Sequence, residues 1–222
     1  LRRQATEALS TLTDLLTARA RDAEEQRTLP RECVEAMRDA RLFAIAAPRE
    51  VGGLEVDPLT QMEIIEATTR IDTAAGWTLM IGAHGGQVIG AFASDAACER
   101  VFGGPVWPIA GSQIAPAGGT FEPVSGGYRV SGRWSFASGI RHGDWSMLTA
   151  SDHGPAEPGK PRAQIAAVLP VAEVTIHDNW YVAGLAGTGS CDYAVDDVFV
   201  SAEMAWPYPP TQLRGGQRYS LK

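Results

Sequence analysis

The sequence predicts an α+β protein, in which an all-α N-terminal domain is followed by a β-barrel or β-sandwich middle domain. Apolar residues recur at helical spacing up to about residue 100, whereas short apolar runs separated by Gly, Pro and Asp follow Gly104. Glycine usage changes in the same part of the chain, because only Gly52 and Gly53 of the 24 glycines precede residue 73. We therefore expect a helical domain at residues 1–103, a β-domain at 104–206 and a linker at 207–222.

The composition excludes several classes of protein. The chain has 222 residues, 45% of them hydrophobic, which is enough for one large or two small buried cores and excludes a disordered protein. Nineteen basic residues against 26 acidic ones give a net charge of −7, so nucleic acid and anionic membranes are poor partners. Cys33, Cys98 and Cys191 lie far apart, without the spacing of a zinc site or a disulfide framework, which favours a reducing cytoplasm.

Three helices are expected before residue 72. The first runs from Arg3 to Arg27, with Leu and Ala at helical intervals among charged residues. The second follows Leu29-Pro30 and stops before Ala47-Pro48, and its apolar positions are Cys33, Val34, Met37 and Leu42. The third has Asp57 as its N-cap and Pro58 in its first turn. Its predicted buried stripe consists of Leu59, Met62, Ile65 and Ile71.

The fourth helix, Thr73 to Ser94 with Asp72 or Thr73 as its cap, carries no formal charge. Its length could in principle cross a bilayer. Thr78, His84, Gln87 and several glycines lower its hydropathy and allow neighbouring backbones to approach closely, so we expect a buried helix of a soluble protein. A short helix from Asp95 to Phe102 closes the helical domain.

The second half of the chain predicts strands joined by turns. Ser125-Gly126-Gly127 is a hairpin turn, and Asp152 to Arg162, which is rich in proline and glycine, is a surface loop. The predicted strands are Pro108 to Ile114, Thr120 to Val124, Tyr128 to Phe136, Trp145 to Ala150, Ala163 to Leu169, Val174 to Ile176 and Tyr193 to Val200.

Several well-known catalytic motifs are missing from the sequence. It lacks the G-x-S-x-G nucleophile elbow, the phosphate-binding G-x-x-x-x-G-K-[ST] loop and the zinc-binding H-E-x-x-H helix, and its four histidines are isolated. The region richest in chemistry is the run from Gly127 to Gly139, GYRVSGRWSFASG, followed by His142 and Asp144-Trp145. A later run from Trp180 to Val200 contains GLAGTGS.

These two runs resemble the β-domain signatures of the acyl-CoA dehydrogenase superfamily, and the order of helices and strands is similar over essentially the whole chain. The resemblance implies that the Phe136 ring lies beside a flavin and that the Ser138 hydroxyl reaches flavin N5 and O4. An aromatic ring covers the apolar face of a flavin, and a hydroxyl suits the N5 edge, whose hydrogen-bonding character inverts between redox states. From the residues alone, barrel core is the favoured interpretation of Phe136, and a turn is the favoured interpretation of Ser138-Gly139.

One segment departs from the dehydrogenase pattern. Where acyl-CoA dehydrogenases usually have Thr-Glu-Pro and then Ala-Gly-Ser-Asp, which helps to hold CoA, this chain has IAPAGGT from Ile114 to Thr120. The pattern is more similar to the flavin-dependent monooxygenase branch (group D), the oxygenase components of two-component aromatic hydroxylases. In that branch a separate reductase supplies reduced flavin. The resemblance implies that Ser112 or Gln113 holds the flavin pyrimidine edge or the substrate.

The resemblance also assigns a role to a histidine of the helical domain. In the monooxygenase branch such a histidine lines the substrate side of the flavin, and His84 takes that place here. An imidazole titrates near neutral pH, which suits proton transfer. The alternative is a core histidine bonded to a backbone carbonyl. We expect His142 and Asp144 at a turn or domain interface, and His153 and His177 at the surface.

The resemblance therefore implies a flavin-dependent oxidoreductase. In the leading hypothesis, a monooxygenase uses reduced FMN or FAD and O2, through a C4a-hydroperoxide, to hydroxylate a small aromatic or heteroatom substrate. The alternatives are an acyl-CoA dehydrogenase that uses FAD and a non-catalytic protein of the same fold. The resemblance also implies a homotetramer and a C-terminal four-helix-bundle domain that supplies catalytic groups and is not represented in these residues.

Overall fold

A computed structural model describes residues 2–112, 118–155, 159, 161–211 and 213–216, without the side chains of residues 2–8 and Ser112. In the described residues the α-helices are α1 Arg2–Gln26, α2 Arg31–Asp39, α3 Pro58–Ile71, α4 Thr73–Phe92 and α5 Asp95–Phe102. The strands are β1 Ala110–Ser112, β2 Gly119–Val124, β3 Gly127–Trp134, β4 Trp145–Asp152, β5 Gln164–Pro170, β6 Thr175–His177, β7 Asp192–Ser201 and β8 Ala205–Pro207. Helices followed by a sheet confirm the predicted α+β order.

Side-chain caps fix where three consecutive helices begin. The Asp57 carboxylate accepts hydrogen bonds from the backbone N–H of Thr60 at 3.0 Å and from its hydroxyl at 2.6 Å. Asp72 accepts from the backbone N–H of Ala75 at 2.6 Å and starts α4 in the same way. Ser94 accepts from Ala97 at the start of α5. Each cap satisfies a backbone donor that the first helical turn leaves without a partner, so the sequence predicted these starts correctly.

The buried face of α3 is not the predicted one. Leu59 and Met62 are 62% and 67% exposed. The buried positions of α3 are instead Thr60, Ile64 and Thr68. A Cβ on Gly76 of α4 would lie 2.8 Å from the Cβ of Thr69, so the two helices cross at a backbone contact that turns the threonine side of α3 inward. The Thr68 hydroxyl donates to the Ile64 carbonyl at 2.8 Å, which allows a polar side chain to be buried there.

The second predicted helix is also shorter than expected. It ends at Asp39, and Arg41 adopts a left-handed conformation with φ of 58°. Leu42, predicted as part of this helix, instead begins the short 3-10 helix Leu42–Ala44. The chain bends at Arg41, so Leu42 and Phe43 reach the helical core from a different direction.

The strands form one sheet in the order β6-β7-β3-β2-β4-β5-β8, and β1 pairs with β4. The β1–β4 and β2–β4 pairs are parallel, whereas the other pairs are antiparallel. Gly126, with φ of 81°, makes the predicted hairpin turn between β2 and β3. Strand β8 was not predicted from the sequence, because its three residues are too short to show an alternating pattern.

Helix α4 lies between two hydrophobic cores. Its first half packs with α1, α2 and α3, whereas Ile89 and helix α5 pack with the sheet. A Cβ on Gly85 would lie 2.5 Å from the carbonyl oxygen of Ala110, so α4 touches β1 without an intervening side chain. None of the described helices is both long and apolar enough to cross a membrane. The prediction that this uncharged helix is buried within the protein is confirmed.

Candidate functional site

One stripe of helix α4 is not fully buried. It consists of Trp77, Met80, His84 and Gln87, at intervals of three and four residues, and Trp77 is 41% exposed. This spacing places the four side chains on one face of the helix, with Trp77 and His84 two turns or about 10 Å apart along the axis. A largely buried helix therefore presents an aromatic ring, a thioether, an imidazole and an amide along a single line.

The segment after β3 lies close to the start of this stripe. Phe136 has a φ of 62°, a conformation that bulky side chains rarely adopt, and its side chain is 66% exposed. Its ring meets the edge of Trp180, with 6.1 Å between the ring centroids. The interpretation of Phe136 as barrel core is therefore wrong, and the strained backbone turns a large apolar ring outward.

Ser138 is buried at the centre of a chain of side-chain hydrogen bonds. Its Oγ lies 2.8 Å from Nε1 of Trp77 and 2.7 Å from Oγ of Ser190. Ser190 Oγ lies 2.7 Å from Oγ1 of Thr188, which donates to the Leu185 carbonyl at 2.9 Å. This chain, which we call the hydroxyl chain, connects α4 with the loop before β7.

A second cluster, which we call the ionic cluster, lies on the same loop but nearer to solvent. Arg27, in the left-handed conformation after α1, makes two hydrogen bonds of 2.7 and 2.9 Å to Asp178. Arg141 reaches the same carboxylate at 2.6 Å, and the Tyr181 hydroxyl donates to it at 3.1 Å. The Arg27 guanidinium also stacks over the Tyr181 ring at 3.9 Å. The hydrogen bonds from Arg27 lower the pKa of Asp178 from its ordinary 3.8 to about 2.

Small residues bring this loop against the helices. A Cβ on Gly187 would lie 2.9 Å from the Cβ of Ala74 and 3.0 Å from that of Ala23. The carboxylate of Glu24 accepts hydrogen bonds from the backbone N–H groups of Ala186 and Gly187, each at 3.3 Å. The loop therefore sits where α1, α4 and the sheet meet.

His84 is half-buried on the α4 stripe. Desolvation lowers its pKa below the ordinary 6.5, so the ring is neutral at pH 7. Within the described part of the chain, no hydrogen bond to this imidazole is found, which argues against a core histidine tied to a backbone carbonyl. The ring is thus available to a ligand as both a donor and an acceptor.

The other histidines have structural positions. His142 lies at an interface, as expected, with Nε2 3.2 Å from the Thr28 hydroxyl, and burial lowers its pKa to about 4. His153 is exposed, as predicted. The expectation that His177 is at the surface is wrong, because its residue is half-buried and its Nε2 is buried. The short strand β6 pairs His177 with Asp192 of β7.

The structure brings together some of the predicted site residues. Ser138, two residues after Phe136, contacts Trp77, and His84 shares the face of α4 on which Trp77 lies. Ser112 ends strand β1 opposite Met147, but its side chain and the whole of Gln113 lie outside the described residues.

Sequence reasoning did not assign roles to Trp77, Thr188 or Ser190. The last two belong to the GLAGTGS run, which was noted as a motif. Trp77 stands seven residues before His84, which is helical spacing for a shared face, and this was the available signal. The partnership of Trp77 with Ser138, 61 residues later, appears only in three dimensions.

The arrangement fits a flat, amphipathic ring system. Phe136 and Trp77 offer exposed aromatic surface, His84 offers a neutral imidazole, and Ser138 offers a hydroxyl oxygen at the inner end. An isoalloxazine requires apolar contact on its face and hydrogen-bonding groups at its edge, and these residues supply both.

Comparisons with known proteins agree with this architecture. Residues 3–104 match the family model for the N-terminal domain of acyl-CoA dehydrogenase. The chain is 34% identical over 195 residues to "Flavin-dependent monooxygenase, oxygenase subunit HsaA" of Mycobacterium tuberculosis, covering 87% of this chain and 48% of the relative. It is also 34% identical over 200 residues to "FADH(2)-dependent resorcinol hydroxylase, oxygenase component" of Rhizobium sp., covering 88% and 47%. The chain thus spans about half the length of the curated relatives it matches.

Solved structures of related proteins superpose on nearly the whole of this chain. The crystal structure of 3-HSA hydroxylase from Rhodococcus sp. RHA1 superposes with a TM-score of 0.84 at 28% identity, covering 93% of this chain and 52% of that one. XiaF from Streptomyces sp., solved in complex with FADH2 and glycerol, superposes with a TM-score of 0.86 at 26% identity, covering 94% and 52%.

Proposed function

This chain belongs to the acyl-CoA dehydrogenase superfamily, and from that premise we propose that it forms part of the oxygenase component of a two-component flavin-dependent monooxygenase. Reduced FAD or FMN, O2 and a small aromatic or heteroatom molecule are the proposed ligands. The relatives named as oxygenase subunits and hydroxylases support this reaction class. The absence of the Ser-Asp pair after residue 114 argues against a CoA thioester as substrate.

The observation that carries the proposal is the exposed ring of Phe136 beside the buried Ser138 and the α4 stripe. A bound reduced flavin would supply the electrons that activate O2. In our proposal Phe136 covers the flavin face, Ser138 contacts its N5 edge, and Ser112 or Gln113 holds the pyrimidine edge. His84, neutral at pH 7, holds or transfers a proton on the substrate side. The uncharged helix α4 forms a wall that excludes water.

The proposal extends to organisation and partners. We assign residues 1–103 to the helical domain, 104–206 to the flavin-binding β-domain and 207–222 to a connection toward a C-terminal helical domain. A separate flavin reductase is the proposed source of reduced flavin, as the words "oxygenase component" in a relative's name suggest. A homotetramer and a cytoplasmic location complete the proposal, and the three free, buried cysteines fit a reducing compartment.

The test uses the full-length gene product with reduced flavin under anaerobic conditions. We expect tight binding of the reduced flavin and, after O2 is admitted, hydroxylation of a phenolic substrate panel that requires added reduced flavin. Phe136→Ala should weaken flavin binding about tenfold by removing aromatic contact. Phe199→Ala, which removes an exposed ring 47% accessible on β7, is the matched control and should leave binding unchanged.

Two results would overturn the proposal. Bleaching of bound oxidised flavin by an acyl-CoA would identify a dehydrogenase instead. Failure of the full-length protein to bind any flavin would favour a non-catalytic protein of the same fold.

A further inference from the structure

The hydrogen bonds of the hydroxyl chain all run in one direction. The Trp77 indole at one end can only donate, and the Leu185 carbonyl at the other end can only accept. The Leu185 carbonyl has no proton, and it accepts from the indole N–H of Trp180 and the backbone N–H of Thr188, each at 3.1 Å. Thr188 Oγ1 lies closer to it, at 2.9 Å, so this contact requires the Thr188 hydroxyl proton. With that proton committed, the 2.7 Å contact between Thr188 and Ser190 requires the proton of Ser190. A contact this short between two oxygens without a proton between them would be repulsive.

The proton of Ser138 is also committed to one hydrogen bond. Ser190 has already given its proton to Thr188, so the 2.7 Å contact between Ser138 and Ser190 requires the Ser138 proton. The indole Nε1–H of Trp77 can only donate, and it occupies one lone pair of Ser138 Oγ at 2.8 Å. Ser138 is therefore left with a single lone pair and no proton to offer a ligand.

This polarity matters for a ligand whose edge changes character. Oxidised flavin presents a bare nitrogen at N5, which accepts a hydrogen bond, whereas reduced flavin presents an N–H, which donates. An oxygen that can only accept complements the N–H and opposes the bare nitrogen. The 2.9 Å contact that sets this preference lies at Thr188, two hydrogen bonds away from Ser138.

Building on the proposed function, we propose that Thr188 and Ser190 are positioning residues that hold the Ser138 hydroxyl as an acceptor and thereby favour the reduced over the oxidised flavin. Neither residue needs to touch the ligand. Both are buried, at 1% and 4% exposure, so water does not compete for their hydrogen bonds.

The experiment measures the dissociation constants of oxidised and anaerobically reduced FAD for the full-length protein, and takes their ratio. Thr188→Val removes the hydroxyl without changing the shape of the side chain, so Ser190 can turn its proton toward Ser138. Ser138 is then free to donate to a bare nitrogen. We expect the ratio of oxidised to reduced dissociation constants to fall about five- to tenfold, the effect of one hydrogen bond gained or lost.

Two variants separate this positioning role from general packing. Thr188→Ser restores the hydroxyl and should restore the wild-type ratio. Thr78→Val is the matched control, because Thr78 is also buried and its Oγ1 has no hydrogen-bond partner within the described residues. It lies beside Trp77 on α4 but outside the hydroxyl chain, so the ratio should not change.

The outcomes distinguish this inference from the proposed function. An unchanged ratio in Thr188→Val, with both flavin forms still bound, overturns the positioning role but leaves the flavin site intact. A ratio that falls equally in Thr78→Val also overturns it, because the effect would then be one of packing. If the wild-type protein binds neither form, the proposed function and this inference both fail.

Discussion

Two groups of interactions join the helices to the loop before β7, and they differ in nearly every physical respect. The groups of the hydroxyl chain are neutral and buried, and each of their protons is used in one hydrogen bond. The ionic cluster is charged, and the Asp178 side chain is 53% exposed. Water can replace an exposed ion pair but cannot reach a buried hydroxyl. The difference indicates that the buried group determines the geometry of the junction, whereas the exposed group adds little to its stability.

The largest effect that we expect comes from a buried titratable group beside the ionic cluster. Burial, followed by the nearby charges of Arg141 and Arg38, lowers the pKa of His142 from 6.5 to about 4. The unfolded chain binds this proton more readily than the folded one, so stability should fall as the pH drops from about 6.5 to about 4. The loss attributable to His142 should be about 3 kcal/mol. Chemical denaturation across this pH range measures it.

The matching variant is His142→Gln, which retains a hydrogen-bonding side chain but cannot titrate. Its stability should change much less between pH 6.5 and 4. The same pH dependence in the variant and the wild type would show that another group is responsible.

A substitution at Gly187 tests the packing of the loop before β7 on helices α1 and α4, on which both the hydroxyl chain and the ionic cluster depend. The φ of Gly187 is outside the left-handed region, so alanine is compatible with the backbone and changes only the packing. A methyl group would press on Ala23 and Ala74, and we expect Gly187→Ala to lower the free energy of unfolding by about 1–3 kcal/mol. Thermal and urea denaturation report the change. Gly184→Ala is the control, since no atom lies within 4 Å of the added methyl group, and equal effects of both variants would contradict the explanation.

Ser138→Ala tests how much the hydroxyl chain contributes to stability. It removes the acceptor of the Trp77 Nε1–H and one of the two hydroxyl partners of Ser190. We expect a loss of about 1–2 kcal/mol in the free energy of unfolding, together with a change in the fluorescence of Trp77. A stability equal to that of the wild type would mean that the hydroxyl chain does not hold the junction.

Asp178→Asn tests the ionic cluster and should have the smallest effect on the free energy of unfolding. Because the pKa of Asp178 is lowered in the folded state, its contribution is present above about pH 4 and is lost as the pH falls toward 2. Solvent and salt screen this contribution, so it should be smaller than the loss caused by Ser138→Ala. Urea denaturation at low and high salt compares the two variants, and a larger, salt-independent loss in Asp178→Asn would reverse the comparison.

Local patterns predicted much of the fold. The helix starts and the hairpin were predictable, because they depend on contacts between residues close together in the sequence. These residues are Asp57-Pro58, Asp72 and Ser125-Gly126-Gly127. The inward face of α3 was not predictable, because Leu59 and Met62 form an apolar stripe as regular as a buried one. The close contact of Gly76 with Thr69 decides which side of that helix turns inward.

The same division holds at the candidate site. The sequence by itself determined most of the helices and strands, the resemblance to a flavin-binding superfamily and the candidates Phe136, Ser138 and His84, because these follow from local pattern and motif. Only the tertiary structure decided that Phe136 turns outward and that the Ser138 hydroxyl lies within hydrogen-bond distance of Trp77 and Ser190, with Thr188 next in the chain. The direction of a hydrogen bond depends on which donors and acceptors lie within 3 Å of each other, and residues 77, 138 and 188 meet only when the helices dock on the sheet.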